Sequence, residues 1–159
     1  MKKEIRLSML LSISIILNIL ESLIPIFNFP GIRIGLANTI TLIVLYTYGS
    51  KDAIYISILR VLLVGILRTG LFSIAFYFSL FGSIFSVISM IIFKKTKLSI
   101  IGVSIVGSIM HNVGQIIAAL FLINTNLIYY MPILLITSII TGTIIGFISK
   151  ELLNFTQNS

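Results

Sequence analysis

The residues best suited to chemistry stand together in the stretch GSIMHNVGQIIAAL, which holds the chain's only histidine, His111. Asn112 follows it directly, and Gln115 comes one helical turn later. At about 100° per residue, His111 and Gln115 share a helix face, while Asn112 points away from it. Three hydrogen-bonding side chains in an apolar segment, flanked by Gly107 and Gly114, predict a polar cavity; cross-linking of neighbouring helices is the alternative.

Two arginines lie in another apolar segment. Arg60 stands in its middle, in SILRVLLVG, and Arg68 follows two turns later. Their directions differ by only about 80° at 100° per residue, so both guanidinium groups could face one cavity and bind an anion. For Arg60 the alternative is a buried ion pair. For Arg68 it is a side chain that reaches out to the membrane interface.

Other polar residues occur near the ends of the apolar segments. Glu21 is the only acidic residue deep within one, with Asn18 on the same helix face. It either neutralises an arginine or contacts a ligand. Asn38 opens the next apolar segment, after Arg33, where the N-terminus of a helix would favour an anionic group. The alternative for Asn38 is helix capping or cross-linking.

The composition identifies the environment of these segments. Of 159 residues, 58% are hydrophobic and only 9% are charged, with a mean hydropathy of +1.19. Soluble domains carry about 25% charged residues, so the chain is expected to be an integral membrane protein. The net charge of +7 comes from short basic clusters between apolar runs, a pattern that argues against nucleic-acid binding.

The segment lengths predict an all-α fold, a single domain over 1–159 with six transmembrane helices. Each segment approaches the ~20 residues that cross a ~30 Å hydrocarbon core. An excess of lysine and arginine on one side predicts that both termini are cytoplasmic. That side would hold Lys2, Lys3, Arg6, Lys51, Lys94, Lys95, Lys97 and Lys150, and the other side Arg33 and Arg68. The predicted helices are 7–27, 35–50, 52–69, 71–93, 99–123 and 128–149.

The sequence argues against several kinds of enzyme. It has four acidic residues and no cysteine, too few ligands for the carboxylate clusters that hold Mg²⁺ against a diphosphate. One histidine without other strong ligands does not make a metal site. No G-x-x-x-x-G-K-[ST] phosphate loop is present. We therefore expect a binding protein with neither catalytic activity nor a cofactor.

Small residues at four-residue spacing form a separate pattern. They occur as Ser8 and Ser12 in the first segment and as Ser138, Gly142 and Gly146 in the last. Such spacing allows close helix approach, either within the bundle or against another membrane protein. The serines of the fourth segment are interpreted in the same way; they are Ser79, Ser83, Ser86 and Ser89.

Three stretches carry a family resemblance: IPIFNFPGIRIGLANTITLIVLYTYG, ILRVLLVG and GSIMHNVGQ. Together they resemble the Gx transporter family, whose members are often labelled "heptaprenyl diphosphate synthase component I". That family is similar to the substrate-binding S components of energy-coupling factor (ECF) transporters. The resemblance implies a multi-pass protein of the bacterial cytoplasmic membrane that works with a membrane scaffold subunit and two cytoplasmic ATPase subunits. It also implies that Ser8 and Ser12 contact the scaffold subunit.

The leading hypothesis is an S component that binds a small, anionic ligand resembling a vitamin or a quinone or isoprenoid precursor. The segment 28–34 would act as an outer lid. One alternative is a membrane anchor in quinone, flavin or isoprenoid metabolism, and another is an autonomous proton-coupled carrier. The predicted ligand-binding residues are Arg60, Arg68, His111, Asn112, Gln115, Asn38, Glu21, Asn18 and Arg33.

Overall fold

The computed structural model describes residues 2–23, 35–122 and 131–157, and these residues form six α-helices without any strand. The predicted all-α fold is confirmed. A π-helical turn, Gly65–Thr69, continues the third helix. The helices are α1 Lys2–Leu23, α2 Asn38–Thr47, α3 Ser50–Val64, α4 Ile74–Lys94, α5 Ile100–Leu122 and α6 Met131–Gln157.

Three of the helices are long and apolar enough to cross a membrane: α4, α5 and the part of α6 up to Phe155. Large apolar side chains are exposed on the outside of the bundle; Ile92 on α4, Phe121 on α5 and Ile140 on α6 are examples. A hydrocarbon environment accommodates such a surface, whereas water would not. The chain is a membrane protein.

The largest differences in length from the expected segments are those of α2 and α6. α2 has ten residues instead of the predicted 35–50, which gives about 15 Å at 1.5 Å per residue, half of the hydrocarbon core. Its side chains are largely buried, with Leu42, Val44 and Leu45 fully enclosed, so α2 is a central helix. α6 runs on past Lys150 to Gln157, because no glycine or proline interrupts this part of the chain.

The short connections follow from turn and capping residues. Gly49 separates α2 from α3 with a φ of +104°, a conformation that glycine adopts far more readily than other residues. Ser73 caps α4, since its Oγ accepts a hydrogen bond of 3.1 Å from the amide of Phe76. Ser99 does the same for α5, accepting from the amide of Gly102 at 3.2 Å.

Basic residues gather where α1 and α3 begin and where α2 and α4 end, which we call the lysine-rich end. The Lys3 ammonium lies 2.9 Å from a carboxylate oxygen of Asp52. Lys94 Nζ donates a 2.7 Å hydrogen bond to the carbonyl of Leu45 and lies 4.8 Å from the ring centroid of Tyr46. This ammonium stabilises the C-terminal end of α2, where carbonyl groups lack helical partners.

Apolar side chains fill the bundle next to the lysine-rich end. This main cluster joins α2, α3, α4 and α5. A smaller cluster lies between the N-terminal part of α4 and the C-terminal part of α5. The main cluster contains Ile40, Leu42, Val44, Leu45, Ala53, Ile56, Val87, Met90 and Val103. The smaller cluster contains Phe78, Ala118 and Ala119. Buried charged, amide and imidazole side chains lie further from the lysine-rich end, among them Asn38, Arg60 and His111.

The small residues of α6 pack inside the bundle. A Cβ atom at Gly142 would lie 2.7 Å from Cα of Ile105, and one at Gly146 would lie 2.7 Å from Cα of Ile101. Any larger side chain at either position would therefore push α6 away from α5. The small residues of α6 therefore allow close contact within the bundle, one of the two interpretations of this spacing; the other was contact with another membrane protein.

Candidate functional site

Polar side chains from α1 to α5 converge on one cavity, which we call the polar cavity. Five of its lining residues were predicted as ligand-binding residues. Its lining consists of Asn18, Glu21, Gly35, Ala37, Asn38, Arg60, Ser79, Ser83 and His111. The sequence therefore identified much of a cluster that only the packing of five helices assembles.

Arg60 is the central charge of the polar cavity and is only 1% exposed. Its Nη2 donates hydrogen bonds to Oγ of Ser83 at 2.8 Å and to Oδ1 of Asn38 at 3.3 Å. The guanidinium group is thus fixed between α2 and α4. Because a cation at this depth is costly, it needs polar partners around it, and it offers charge-assisted hydrogen bonds to an anion.

Glu21 binds the backbone that leads into α2. Its two carboxylate oxygens accept hydrogen bonds from the amides of Gly35 and Leu36, the second at 3.1 Å. The side chain is 4% exposed. Gly35 has a φ of +87°, and a Cβ there would lie 3.1 Å from Nδ2 of Asn38, so glycine suits this position on two grounds. Glu21 links the end of α1 to the start of α2.

His111 enters the polar cavity from α5 because α4 has no side chain opposite it. A Cβ at Gly82 would lie 2.8 Å from Cε1 of the imidazole. Gln115 lies on the same face, with its Nε2 3.4 Å from Nε2 of His111. The predicted shared face is confirmed. Gln115 acts here as a neighbour of the histidine.

Asn112 is buried but faces α6 instead of the polar cavity. Its Nδ2 donates to Oγ of Ser138 at 2.6 Å and to the carbonyl of Leu134 at 3.2 Å. The direction away from His111 agrees with the helical spacing. The three polar residues of this stretch therefore fall into two groups. His111, with Gln115 beside it, lies at the polar cavity, and Asn112 links α5 to α6.

The glycines next to this cluster do not enlarge the polar cavity, contrary to expectation. A Cβ at Gly107 would lie 2.7 Å from Cγ of Met90, and one at Gly114 would lie 2.6 Å from the carbonyl oxygen of Phe81. Both glycines allow close contact between α5 and α4. The space for His111 comes from Gly82, on the opposite helix.

Arg68 lies apart from Arg60. It is exposed, and its Nη1 donates a 3.0 Å hydrogen bond to the carbonyl of Ile19. Contrary to expectation, Arg68 is not among the described residues that line the polar cavity with Arg60; the π-helical turn that carries it lies beyond the end of α3. Arg33 and the rest of the predicted lid 28–34 lie outside the residues that the structure describes.

Ser8 and Ser12 are exposed on α1. Ser12 Oγ donates a 3.0 Å hydrogen bond to the carbonyl of Ser8, one turn earlier on the same helix. Large apolar side chains flank them on this outer face, among them Met9 and Ile16. Unlike the glycines of α6, these two small residues do not pack within the bundle.

Two lining residues on α4, Ser79 and Ser83, were not predicted as site residues. Gly82, which faces His111 from the same helix, was not predicted either. The fourth-segment serines had been assigned to close helix packing. Ser79 and Ser83 are four residues apart with Gly82 between them, which places a small, polar strip on one helix face. That strip is the sequence signal for this wall of the polar cavity.

The polar cavity is small in this conformation. The space open to the centre of a water molecule is ≈ 10 Å³, room for about one water molecule. Pockets for vitamin-sized ligands are on the order of 300–1,000 Å³. Occupation by such a ligand requires the surrounding helices to move apart.

The family of the chain was tested by comparison with known proteins. A family model described as "heptaprenyl diphosphate synthase component I" matches residues 10–152. Comparisons with curated proteins and with solved structures gave no match. The family match agrees with the family predicted from the three sequence stretches. Because it covers most of the 159 residues, the chain belongs to the heptaprenyl diphosphate synthase component I family.

Proposed function

We propose that this protein is the substrate-binding component of an ECF-type importer and takes a small anionic ligand into the polar cavity. The observation that carries the proposal is the convergence of Arg60, Asn38, Glu21 and His111 on one cavity inside a membrane protein. Burial of so many polar groups is costly in a bilayer, so such groups favour a site for a polar ligand.

The electrostatics of the polar cavity favour an anion. Arg60 brings a guanidinium group into the cavity, where Ser83 and Asn38 accept hydrogen bonds from its Nη2. An anionic group entering the cavity would gain charge-assisted hydrogen bonds in a region of low dielectric, where they are strong. His111 would supply a directional contact from the opposite wall.

The distribution of acidic residues favours binding over catalysis. The sequence has four of them. Glu21 is engaged by the backbone amides before α2, and Asp52 is paired with Lys3 at the lysine-rich end. Diphosphate chemistry with Mg²⁺ needs several carboxylates in one place. Energy for import would come from ATP hydrolysed by two cytoplasmic ATPase subunits.

The outer face of α1 suits contact with a membrane scaffold subunit. Ser8 and Ser12 are exposed there, and Met9 and Ile16 are exposed beside them. Small side chains allow another transmembrane helix to approach closely, and the apolar residues around them supply packing contacts. The similarity to S components that the family resemblance implies points to the same surface.

Reconstitution in liposomes tests the proposal. Small molecules that co-purify with the protein are identified by mass spectrometry, and uptake of those anions is measured with and without scaffold and ATPase subunits. We expect uptake only when both kinds of subunit and ATP are present. Uptake by the chain alone under a pH gradient would contradict the proposal. So would stable binding to a metabolic enzyme without uptake of any co-purified molecule.

A further inference from the structure

The two backbone amides before α2 already bind a carboxylate, which belongs to the protein itself. Glu21 reaches from α1 and accepts one hydrogen bond on each oxygen, from the amides of Gly35 and Leu36. Consecutive amides at the start of a helix favour an anion through their hydrogen bonds and through the helix dipole. The arrangement is a two-oxygen anion site occupied by an internal side chain.

A second group at this place has a free donor. Asn38 is 5% exposed, and its Nδ2 has no hydrogen-bond partner among the residues that the structure describes. Its Oδ1 accepts from Arg60, which can only donate. The amide orientation is thereby fixed, so that Nδ2 remains available at the polar cavity that Glu21 also lines. A buried donor without a partner costs free energy that a ligand acceptor would recover.

We propose that the Glu21 carboxylate occupies the binding site of a carboxylate group on the ligand. When the ligand binds, its carboxylate displaces Glu21 from the amides of Gly35 and Leu36. In the bound state the ligand carboxylate accepts from these two amides and from Nδ2 of Asn38, beside Arg60. The inference rests on the proposed binding function and specifies its ligand class. Glu21 is then a built-in competitor of the ligand.

The dimensions of the site favour a carboxylate over a phosphate group. The two amides are adjacent in the chain and are bridged by the two oxygens of one planar group. A phosphate is tetrahedral and carries further oxygens with additional charge, which need more donors and more room. A planar carboxylate can take the place of the Glu21 carboxylate on these two amides.

Displacement of Glu21 would also loosen α1. Its carboxylate is one polar link between α1 and the start of α2; another is a 3.5 Å hydrogen bond from Oγ of Ser14 to the carbonyl of Ala37. Elsewhere on its surface α1 presents exposed apolar side chains, among them Ile13 and Leu20. A ligand that takes over the amides of Gly35 and Leu36 removes this link, so that α1 can move away and the polar cavity can enlarge.

Chemical rescue of Glu21→Ala tests the inference. The substitution keeps Cβ and removes the two carbon atoms and two oxygens that correspond to acetate. We expect acetate to raise the Tm of the purified variant in detergent, by about 3–5 °C at tenfold its dissociation constant. Acetamide is the neutral control and inorganic phosphate the anionic one, and neither should match acetate. Wild type and the surface variant Glu151→Ala should not respond.

Glu21→Gln gives a second variant if Glu21→Ala fails to fold. Glutamine keeps the volume but presents only one acceptor oxygen, so it competes less well than glutamate and should allow a smaller acetate response. The absence of an acetate response in the folded variants overturns the inference. An equal response to acetamide or to phosphate overturns it too.

These measurements involve neither uptake nor partner subunits. A negative result would therefore refute the Glu21 inference without refuting the proposed importer function. ATP-dependent uptake of a ligand without a carboxylate would refute the Glu21 inference and leave the importer assignment standing. Acetate rescue without any importer activity would retain the carboxylate site and refute the importer.

Discussion

Nη2 of Arg60 donates a 2.8 Å hydrogen bond to Oγ of Ser83, which joins α3 to α4 inside the bundle. The same nitrogen lies 3.3 Å from Oδ1 of Asn38 on α2. One buried guanidinium therefore sets the relative positions of three helices around the polar cavity. Its substitution therefore affects binding and packing together.

Arg60→Gln should lower the amount of co-purifying anionic ligand about 10- to 100-fold, since a hydrogen bond to a charged group contributes about 1.5–3 kcal/mol. Arg68→Gln is the control, because Arg68 is exposed and bonds only the carbonyl of Ile19 among the contacts found. Ligand is quantified by mass spectrometry of protein that elutes as one folded peak in detergent. Unchanged ligand with Arg60→Gln, or loss with Arg68→Gln alone, would contradict the assignment of the anion site.

Ser83→Ala should destabilise the protein by about 1–3 kcal/mol, because it removes an acceptor from a buried cation. Ser89→Ala is the matched control on the same helix. Ser89 is also buried, but its Oγ bonds the carbonyl of Ser86 within α4, so its loss should cost less than about 0.5 kcal/mol. Unfolding in mixed detergent micelles measures both, and equal effects would count against the role of Ser83.

Gly82→Ala should displace the imidazole of His111, because the new Cβ would lie 2.8 Å from Cε1. We expect a loss of about 1–3 kcal/mol in stability from overpacking. The chain has a single histidine, so its imidazole signals in NMR report the displacement without ambiguity.

Gly102→Ala is the control for this substitution. Its Cβ would meet the end of a flexible side chain, Cδ2 of Leu98, at 3.3 Å. Alanine favours a helix by up to about 1 kcal/mol over glycine, so this variant should be neutral or slightly more stable. Unchanged imidazole signals in Gly82→Ala would show that His111 does not depend on the space at Gly82.

Asn112 and Ser138 should be energetically coupled, since their side chains share a 2.6 Å hydrogen bond between α5 and α6. A double-mutant cycle of Asn112→Ala and Ser138→Ala should give about 0.6 kcal/mol and at most about 1.7 kcal/mol. Additive effects on unfolding would remove the proposed link. Ligand retention should not change in the Asn112 variant, because this residue does not line the polar cavity.

Hydropathy and helical spacing were enough to predict a membrane protein of six helices from the sequence. They also placed His111 and Gln115 on one face and Asn112 on another, as the structure has them. These features depend on composition and on a period of 3.6 residues, so they are local properties of the chain.

Only the tertiary structure decided which polar groups meet. Glu21 binds backbone amides 14 and 15 residues away, Gly82 on α4 makes room for His111 on α5, and Arg68 lies apart from Arg60. Helical spacing gives the direction of a side chain about its own helix, but neighbouring helices can pack at different positions and distances. Which helices come together, and at which depth, depends on packing among all of them, and the polar cavity exists only as a result of that packing.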